Sequence, residues 1–204
     1  MATQAALRGA EWDVVELNWE HGPSPVQCVF RRVRGDSWEP WVIVARSAVM
    51  QRVGRRGLGL YAARGFRQDD FVGLYDGRVV GRFASRRSAL ESPACTRLVR
   101  SGHDKLITRR RSQGAGVELV DGESGGPPFL HRMNDPRGSG MRANVELTPG
   151  GWVKVIQRRV PVFDLQSGVD ANIGAELRLA YGEEEYWGMM DRLGTSAAHA
   201  IEVD

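Results

Sequence analysis

The sequence predicts a mostly β fold with short helices. Apolar residues alternate over short runs, 25 glycines interrupt the chain, and no long stretch keeps the 3.6-residue apolar period of an amphipathic helix. A chain of 204 residues is long enough for one domain with a sizeable core.

The N-terminal part predicts short strands. Glu11–Leu17 and Val26–Val33 alternate, and the Gly- and Pro-containing segment Glu20–Pro25 predicts the turn between them. We therefore expect residues 1–40 to form a hairpin-like extension packed on the main domain. Trp41–Ala45 is a compact apolar run that is typical of a strand.

The next segment contains the glycine-rich stretch Gly54–Gly59, for which a tight turn between strands is the simplest expectation. Phe71–Tyr75 predicts a strand that ends in a turn at Asp76-Gly77, and Val79-Val80 predicts the start of another short strand.

Residues 82–115 change in character and hold many basic residues. Ser85–Arg100 shows partial helical spacing, which Pro93 interrupts, and Arg109–Arg111 predicts an exposed turn. The remaining strands and one loop follow: strands at Val117–Asp121, Val145–Leu147, Trp152–Ile156 and Val160–Phe163, and a loop at Gly122–Pro128.

Charge and cysteine content narrow the function classes. The net charge is +3, but residues 41–125 hold 16 bases and 8 acids, a net of +8.

No apolar run approaches the roughly 20 residues that cross a bilayer, and Met1–Ala10 lacks the apolar core of a secretory signal. Two cysteines without metal-ligand spacing favour a reducing compartment, cytoplasm or nucleus. The four histidines do not group with acids, so we expect no metal site.

Four short motifs carry the chemical information. They are Arg56-Gly57-Leu58-Gly59-Leu60-Tyr61-Ala62, Leu74-Tyr75-Asp76-Gly77, Arg132-Met133-Asn134-Asp135-Pro136 and Glu176-Leu177-Arg178-Leu179-Ala180-Tyr181-Gly182. In this order they resemble the pattern of SET-domain protein lysine methyltransferases, across about residues 41–190, with 191–204 as a C-terminal tail. The resemblance implies that the basic residues 82–115 form the variable insert of the domain. The resemblance implies a β-clip fold of small curved sheets around a pseudoknot. The chain lacks the cysteine-rich zinc clusters that flank many SET domains.

The resemblance implies an S-adenosylmethionine site, with S-adenosylhomocysteine as the product. The segment Arg56-Gly57-Leu58-Gly59 would present backbone groups to the cofactor, since glycine lets a ligand approach closely, and Arg56 could pair with its carboxylate. Asn134 would contact the methionine part, because an amide both donates and accepts hydrogen bonds. Asp135 stands where the family has a histidine that contacts the cofactor, so the resemblance places Asp135, together with Tyr181, at the cofactor site. Asn144 matches the asparagine of the family's Pro-Asn.

The same resemblance assigns Tyr181 as the catalytic residue. The target lysine must be neutral to attack the sulfonium methyl, although free lysine has a pKa of about 10.4. A tyrosine can orient the amine in line with the methyl–sulfur bond without acting as a strong base.

Tyr75 is expected to line the lysine channel and assist catalysis. Tyr186 and Leu147 are also expected at the channel, and Trp187 beside the adenine, while the acidic run Glu183–Glu185 could attract a basic peptide.

The sequence therefore favours a protein-lysine N-methyltransferase, with a histone tail as the family's usual substrate and a role in chromatin regulation. Two alternatives remain open. One is a methyltransferase of a non-histone protein. The other is a SET-like module without catalysis that binds nucleic acid or nucleosomal DNA through the basic insert. No membrane partner is expected, and the sequence leaves the oligomeric state open.

Overall fold

The computed structural model describes residues 2–20, 26–103 and 105–180. Within them the chain is mostly β, with four short helices and several small antiparallel sheets. Contacts divide it into two compact units. The first comprises residues 1–74, 126–147 and 152–180, and the second contains residues 75–125 and 148–151.

The first unit is built on a four-stranded antiparallel sheet, in the order β1-β2-β3-β4. Its strands are β1 (Trp12–Leu17), β2 (Val26–Arg34), β3 (Ser37–Arg46) and β4 (Leu58–Ala62). The structure confirms strands within the segments 11–17, 26–33 and 41–45. However, β3 begins four residues earlier than expected and is continuous with residues 37–40.

Smaller elements complete this unit: helices α1 (Gln4–Leu7) and α2 (Ala48–Arg52), and strands β5 (Phe66–Arg67), β6 (Phe71–Leu74), β10 (Val145–Leu147), β11 (Trp152–Val155) and β12 (Arg159–Val160). The order β10-β11-β6 forms one sheet and β12-β5 another. The predicted strand at 160–163 is wrong beyond Val160, where pairing with β5 ends. The core includes Trp19, Tyr61 and Phe163, whose rings pack edge to face.

The second unit is a three-stranded antiparallel sheet, in the order β7-β9-β8, with two helices. Its elements are β7 (Arg78–Phe83), α3 (Arg86–Leu90), α4 (Pro93–Arg100), β8 (Leu106–Arg110) and β9 (Val117–Asp121). Pro93 begins α4, because its missing N–H is not needed in the first turn, and Ser92 caps the helix by accepting from Cys95 N–H.

The predicted turn at Arg109–Arg111 is wrong for its first two residues. Arg109 and Arg110 lie in β8 and pair with Glu118 and Val117 of β9. Their polarity suggested a loop, but this part of the strand is partly exposed and Arg109 is neutralised by Glu118 at 3.2 Å.

None of the helices among the described residues has the length and apolar content that a membrane-spanning helix requires.

Candidate functional site

A buried carboxylate joins three distant parts of the first unit. Glu176 has no exposed surface. Its Oε1 accepts hydrogen bonds from Ser47 Oγ at 2.6 Å and Asn134 Nδ2 at 3.2 Å, and its Oε2 accepts from Val49 N–H at 3.0 Å. We call Glu176, Ser47, Val49 and Asn134 the Glu176 cluster. It connects the N-terminus of α2 to two of the sequence motifs.

The position of Ser47 follows from the local sequence. It is the first residue after β3 and the N-cap of α2, and its hydroxyl accepts from Met50 N–H at 2.9 Å. The same hydroxyl donates to Glu176, so one side chain both caps the helix and anchors the carboxylate. Its backbone N–H donates to Gly57 O at 2.9 Å and holds the glycine-rich segment to the same point.

Asn134 uses its amide hydrogens inside the protein. Besides Glu176, its Nδ2 approaches Leu58 O at 2.9 Å and Ser47 Oγ at 3.1 Å. An amide nitrogen has two hydrogens, so three protein acceptors leave none for a ligand. Its Oδ1 accepts no hydrogen bond from any residue in the described ranges, and the side chain is 5% exposed. The oxygen is therefore the polar atom of this amide that remains for a ligand.

The two glycines of Gly57-Leu58-Gly59 serve different purposes. A Cβ on Gly59 would lie 2.6 Å from Glu176 Oε1 and 3.1 Å from Ser47 Cβ. A Cβ on Gly57 would meet only the flexible Met50 side chain, at 3.5 Å. Gly59 therefore makes room for a carboxylate of the protein, and the close approach of a ligand that the resemblance implies for both glycines stays a prediction. The expected tight turn is also wrong for Leu58 and Gly59, which begin β4.

The residues that flank these motifs are more exposed. Arg56 is exposed and forms no ion pair with any carboxylate in the described part of the chain. The Leu58 side chain, at the start of β4, is 45% exposed. Asp135 is half-buried, and its Oδ1 accepts from Arg137 N–H at 2.9 Å, which closes a local turn.

The segment Glu176–Leu179 is held on two sides. On one side, Leu177 N–H donates to Leu60 O of β4 at 2.7 Å. On the other, Leu179 N–H donates to Asn134 O at 3.1 Å, and bridges link Asn134 to Arg178 and Val145 to Leu179. Both ends of residues 134–145 thus contact this segment.

Asn144 fixes the same segment through both ends of its amide. This fully buried side chain donates to Glu176 O at 2.8 Å and accepts from Arg178 N–H at 2.7 Å. The Arg178 guanidinium donates to three backbone carbonyls: those of Arg142, Ile173 and Glu176. Burial lowers the pKa of Arg178, and the nearby Glu176 charge acts in the opposite direction.

Among the described residues, the other predicted site residues do not belong to the Glu176 cluster. Tyr75 belongs to the second unit, where it is fully buried and its hydroxyl donates to Lys105 O at 3.2 Å. Leu147 ends β10 in the first unit and is half-buried. Tyr181, Tyr186 and Trp187, together with the acidic run 183–185, lie outside the described residues.

Sequence reasoning missed Ser47 and assigned no role to the Glu176 side chain. A serine directly after an apolar strand is a recognisable N-cap signal, so Ser47 and α2 could have been found. Glu176 was visible only as part of a motif.

Tyr61 also borders this cluster: its hydroxyl accepts from Ala48 N–H and donates to Arg46 O. Burial raises the pKa of Tyr61, and the Glu176 charge adds to the effect.

The Glu176 cluster and the segments around it supply groups that can bind a ligand more than groups that can react with one. It brings together the start of β4, the amide of Asn134 and the segment that leads to Tyr181. In the described residues, no group of three His, Cys, Asp or Glu side chains could hold a metal ion. Compared with known proteins, the chain matches no protein-family model and no curated protein.

Proposed function

We propose that this chain is an S-adenosylmethionine-dependent protein-lysine N-methyltransferase with a SET fold. The observation that carries the proposal is the meeting of three motif segments within one compact unit. Leu58, Asn134 and Glu176 are far apart in sequence, yet Asn134 Nδ2 bonds directly to Leu58 O and to Glu176 Oε1. The resemblance requires these motifs to converge, whereas unrelated matches would have no reason to do so.

The surroundings of Glu176–Leu179 support the SET fold in particular. In that fold the C-terminal segment passes through a loop formed by the preceding chain, which is rare among folds. Here β4 contacts the segment on one side, and both ends of residues 134–145 contact it on the other. The 134–145 stretch is therefore our proposed loop.

The described residues fit one end of the cofactor. Asn134 Oδ1 is an acceptor without a partner in the described ranges, which suits the α-ammonium group of S-adenosylmethionine. Arg56 is an exposed cation beside Gly57 without an ion pair in those ranges, which suits the α-carboxylate. When bound, the cofactor supplies the sulfonium methyl group that is transferred.

Within this proposal, the chain has two tasks during methyl transfer. It must favour a neutral lysine amine by excluding water, and it must align that amine with the methyl–sulfur bond. Tyr181 is proposed to orient the amine, and its position two residues after Leu179 ties it in sequence to the segment anchored by Asn144. The amine loses its proton to solvent. Tyr75, Leu147 and Tyr186 remain predicted channel residues.

The substrate class is a lysine-containing protein, and a basic histone tail is proposed from the family's usual target. The direct test incubates the protein with core histones and isotopically labelled S-adenosylmethionine, followed by mass spectrometry of the products. Methylated lysine that requires both the protein and the cofactor would support the proposal. If calorimetry finds no S-adenosylmethionine binding at high micromolar concentration, the enzymatic function is wrong.

One observation favours the nucleic-acid alternative. Arg97 and Arg100 are exposed on one side of α4, where they line a surface pocket with Glu91, Pro93, Thr96 and Ser101. Neither forms an ion pair with a carboxylate in the part of the chain that the structure describes. Arginines at this spacing suit phosphate contacts, so a DNA-binding role of the second unit is our second candidate, with or without catalysis.

A further inference from the structure

We infer that Glu176 is a positioning residue of the cofactor site, an inference that rests on the proposed function. Its carboxylate would act through Asn134 and the start of β4, without touching the cofactor itself. The inference goes beyond the resemblance to the family, which assigned a role in this motif to Tyr181 and none to the Glu176 side chain.

The first argument is the free-energy cost of burying the Glu176 carboxylate. Glu176 has no exposed surface and no ion pair with a basic side chain in the described ranges, so its carboxylate depends on three hydrogen bonds. Burying a carboxylate is costly, and an apolar side chain of similar volume is often at least as stabilising. A fully hydrogen-bonded buried charge can instead specify one arrangement of its partners.

The second argument is which groups the carboxylate orients. By accepting from Nδ2, it fixes the amide of Asn134 so that Oδ1 faces away from the carboxylate. The same Nδ2 donates to Leu58 O, so the amide orientation also determines where the backbone of Leu58 lies. Through Ser47, whose N–H donates to Gly57 O, the carboxylate reaches the preceding residue of the glycine-rich motif.

The Glu176→Gln variant tests this role with little change in shape. Glutamine has one acceptor oxygen, while the site presents donors to both carboxylate oxygens. Its NH2 group must therefore face either Val49 N–H or the Asn134 amide, and one arm of the Glu176 cluster is lost. We expect the dissociation constant for S-adenosylmethionine to rise at least 10-fold. In steady-state assays we expect the cofactor KM to rise while kcat at saturating cofactor stays within about threefold.

Asp70→Asn is the matched control. Asp70 is also a buried carboxylate of the first unit, and it accepts from Ala2 N–H and Arg67 N–H. Its amide variant should lose a comparable amount of stability in urea unfolding, yet bind S-adenosylmethionine within twofold of the parent. This comparison separates positioning from a general loss of stability.

A second pair of variants covers the case in which Glu176→Gln does not fold. Ser47→Ala removes one donor to Glu176 and the cap of α2, whereas Ser92→Ala removes the cap of α4 in the second unit. Only Ser47→Ala should weaken cofactor binding, by about 10-fold.

The parent protein is titrated with S-adenosylmethionine in the same experiment. If the parent binds and Glu176→Gln and Ser47→Ala bind as tightly, the positioning role is overturned while the proposed function stands. If the parent itself does not bind, the proposed function fails and this inference fails with it.

Discussion

Gly59 lies so close to Glu176 that the carboxylate occupies the space where a side chain at position 59 would begin. A Cβ there would stand 2.6 Å from Oε1, closer than real Cβ contacts come. The carboxylate is held from other directions by Ser47 and Val49, so it cannot simply move away. The second glycine of the motif is thus explained by a contact inside the protein.

The first prediction compares the two glycines of this motif. Gly59→Ala should lower the free energy of unfolding by about 1–3 kcal/mol, because the added methyl group overpacks a fixed site. Gly57→Ala should change it by less than about 1 kcal/mol, since only the flexible Met50 side chain lies near. Urea unfolding of both variants measures the difference, and equal losses would contradict the close contact.

The second prediction concerns the segment that leads to Tyr181. Asn144→Ala leaves Arg178 N–H without its acceptor in a buried place, whereas Glu176 O keeps its hydrogen bond from the Arg178 guanidinium. A buried donor without an acceptor costs roughly 1–3 kcal/mol, so we expect a loss of about 1–3 kcal/mol in unfolding free energy. Gln157→Ala, which removes only an exposed bond to Arg159 O, should stay within about 0.5 kcal/mol. A small loss for Asn144→Ala would show that this anchor is dispensable.

The third prediction is a loss of stability at alkaline pH. Burial raises the pKa of the Cys28 and Cys95 thiols to about 11, whereas thiols in an unfolded chain ionise near 8.5. Between these values the unfolded chain releases protons that the folded chain keeps, so the free energy of unfolding falls as pH rises. Below about pH 8 the two thiols add no pH dependence. Urea midpoints at pH 7, 9 and 10 should decline, and a variant with alanine at both cysteines should decline less.

The fourth prediction tests the proposed catalytic residue. Tyr181→Phe should bind S-adenosylmethionine like the parent, because the aromatic ring remains. It should lose roughly 100-fold or more in turnover, the scale expected when a reacting group is no longer aligned. Calorimetry and the labelled-histone assay measure the two properties separately. Turnover equal to the parent would remove Tyr181 from the mechanism.

The fifth prediction addresses the basic helix α4. If Arg97 and Arg100 contact phosphates, replacing both with serine should weaken duplex DNA binding and reduce the slope of log K against log salt by about 2. Arg87→Ser is the control, since Arg87 is exposed but paired with Glu91 at 2.9 Å. Binding that is unchanged in the double variant would reject this surface as the DNA site.

Local patterns in the sequence determined the class of fold and several of its elements. Alternating apolar residues predicted β1, β2 and the centre of β3 because side chains on a strand point to opposite faces. They failed for Arg109 and Arg110, whose place in β8 depends on pairing with β9. The motif residues around positions 58, 134 and 176 were also identified from the sequence.

Only the tertiary structure decided what these motif residues do. Ser47 and Glu176 are 129 residues apart, and nothing local in either segment indicates that their side chains meet. Glu176 leaves no room for a Cβ at Gly59, whereas a Cβ at Gly57 would meet only Met50. Ser47 and Glu176 also accept hydrogen bonds from the side-chain amide of Asn134. The physical reason is that periodicity reports which face of an element is buried, whereas hydrogen-bond partners depend on how the whole chain closes around a buried polar group.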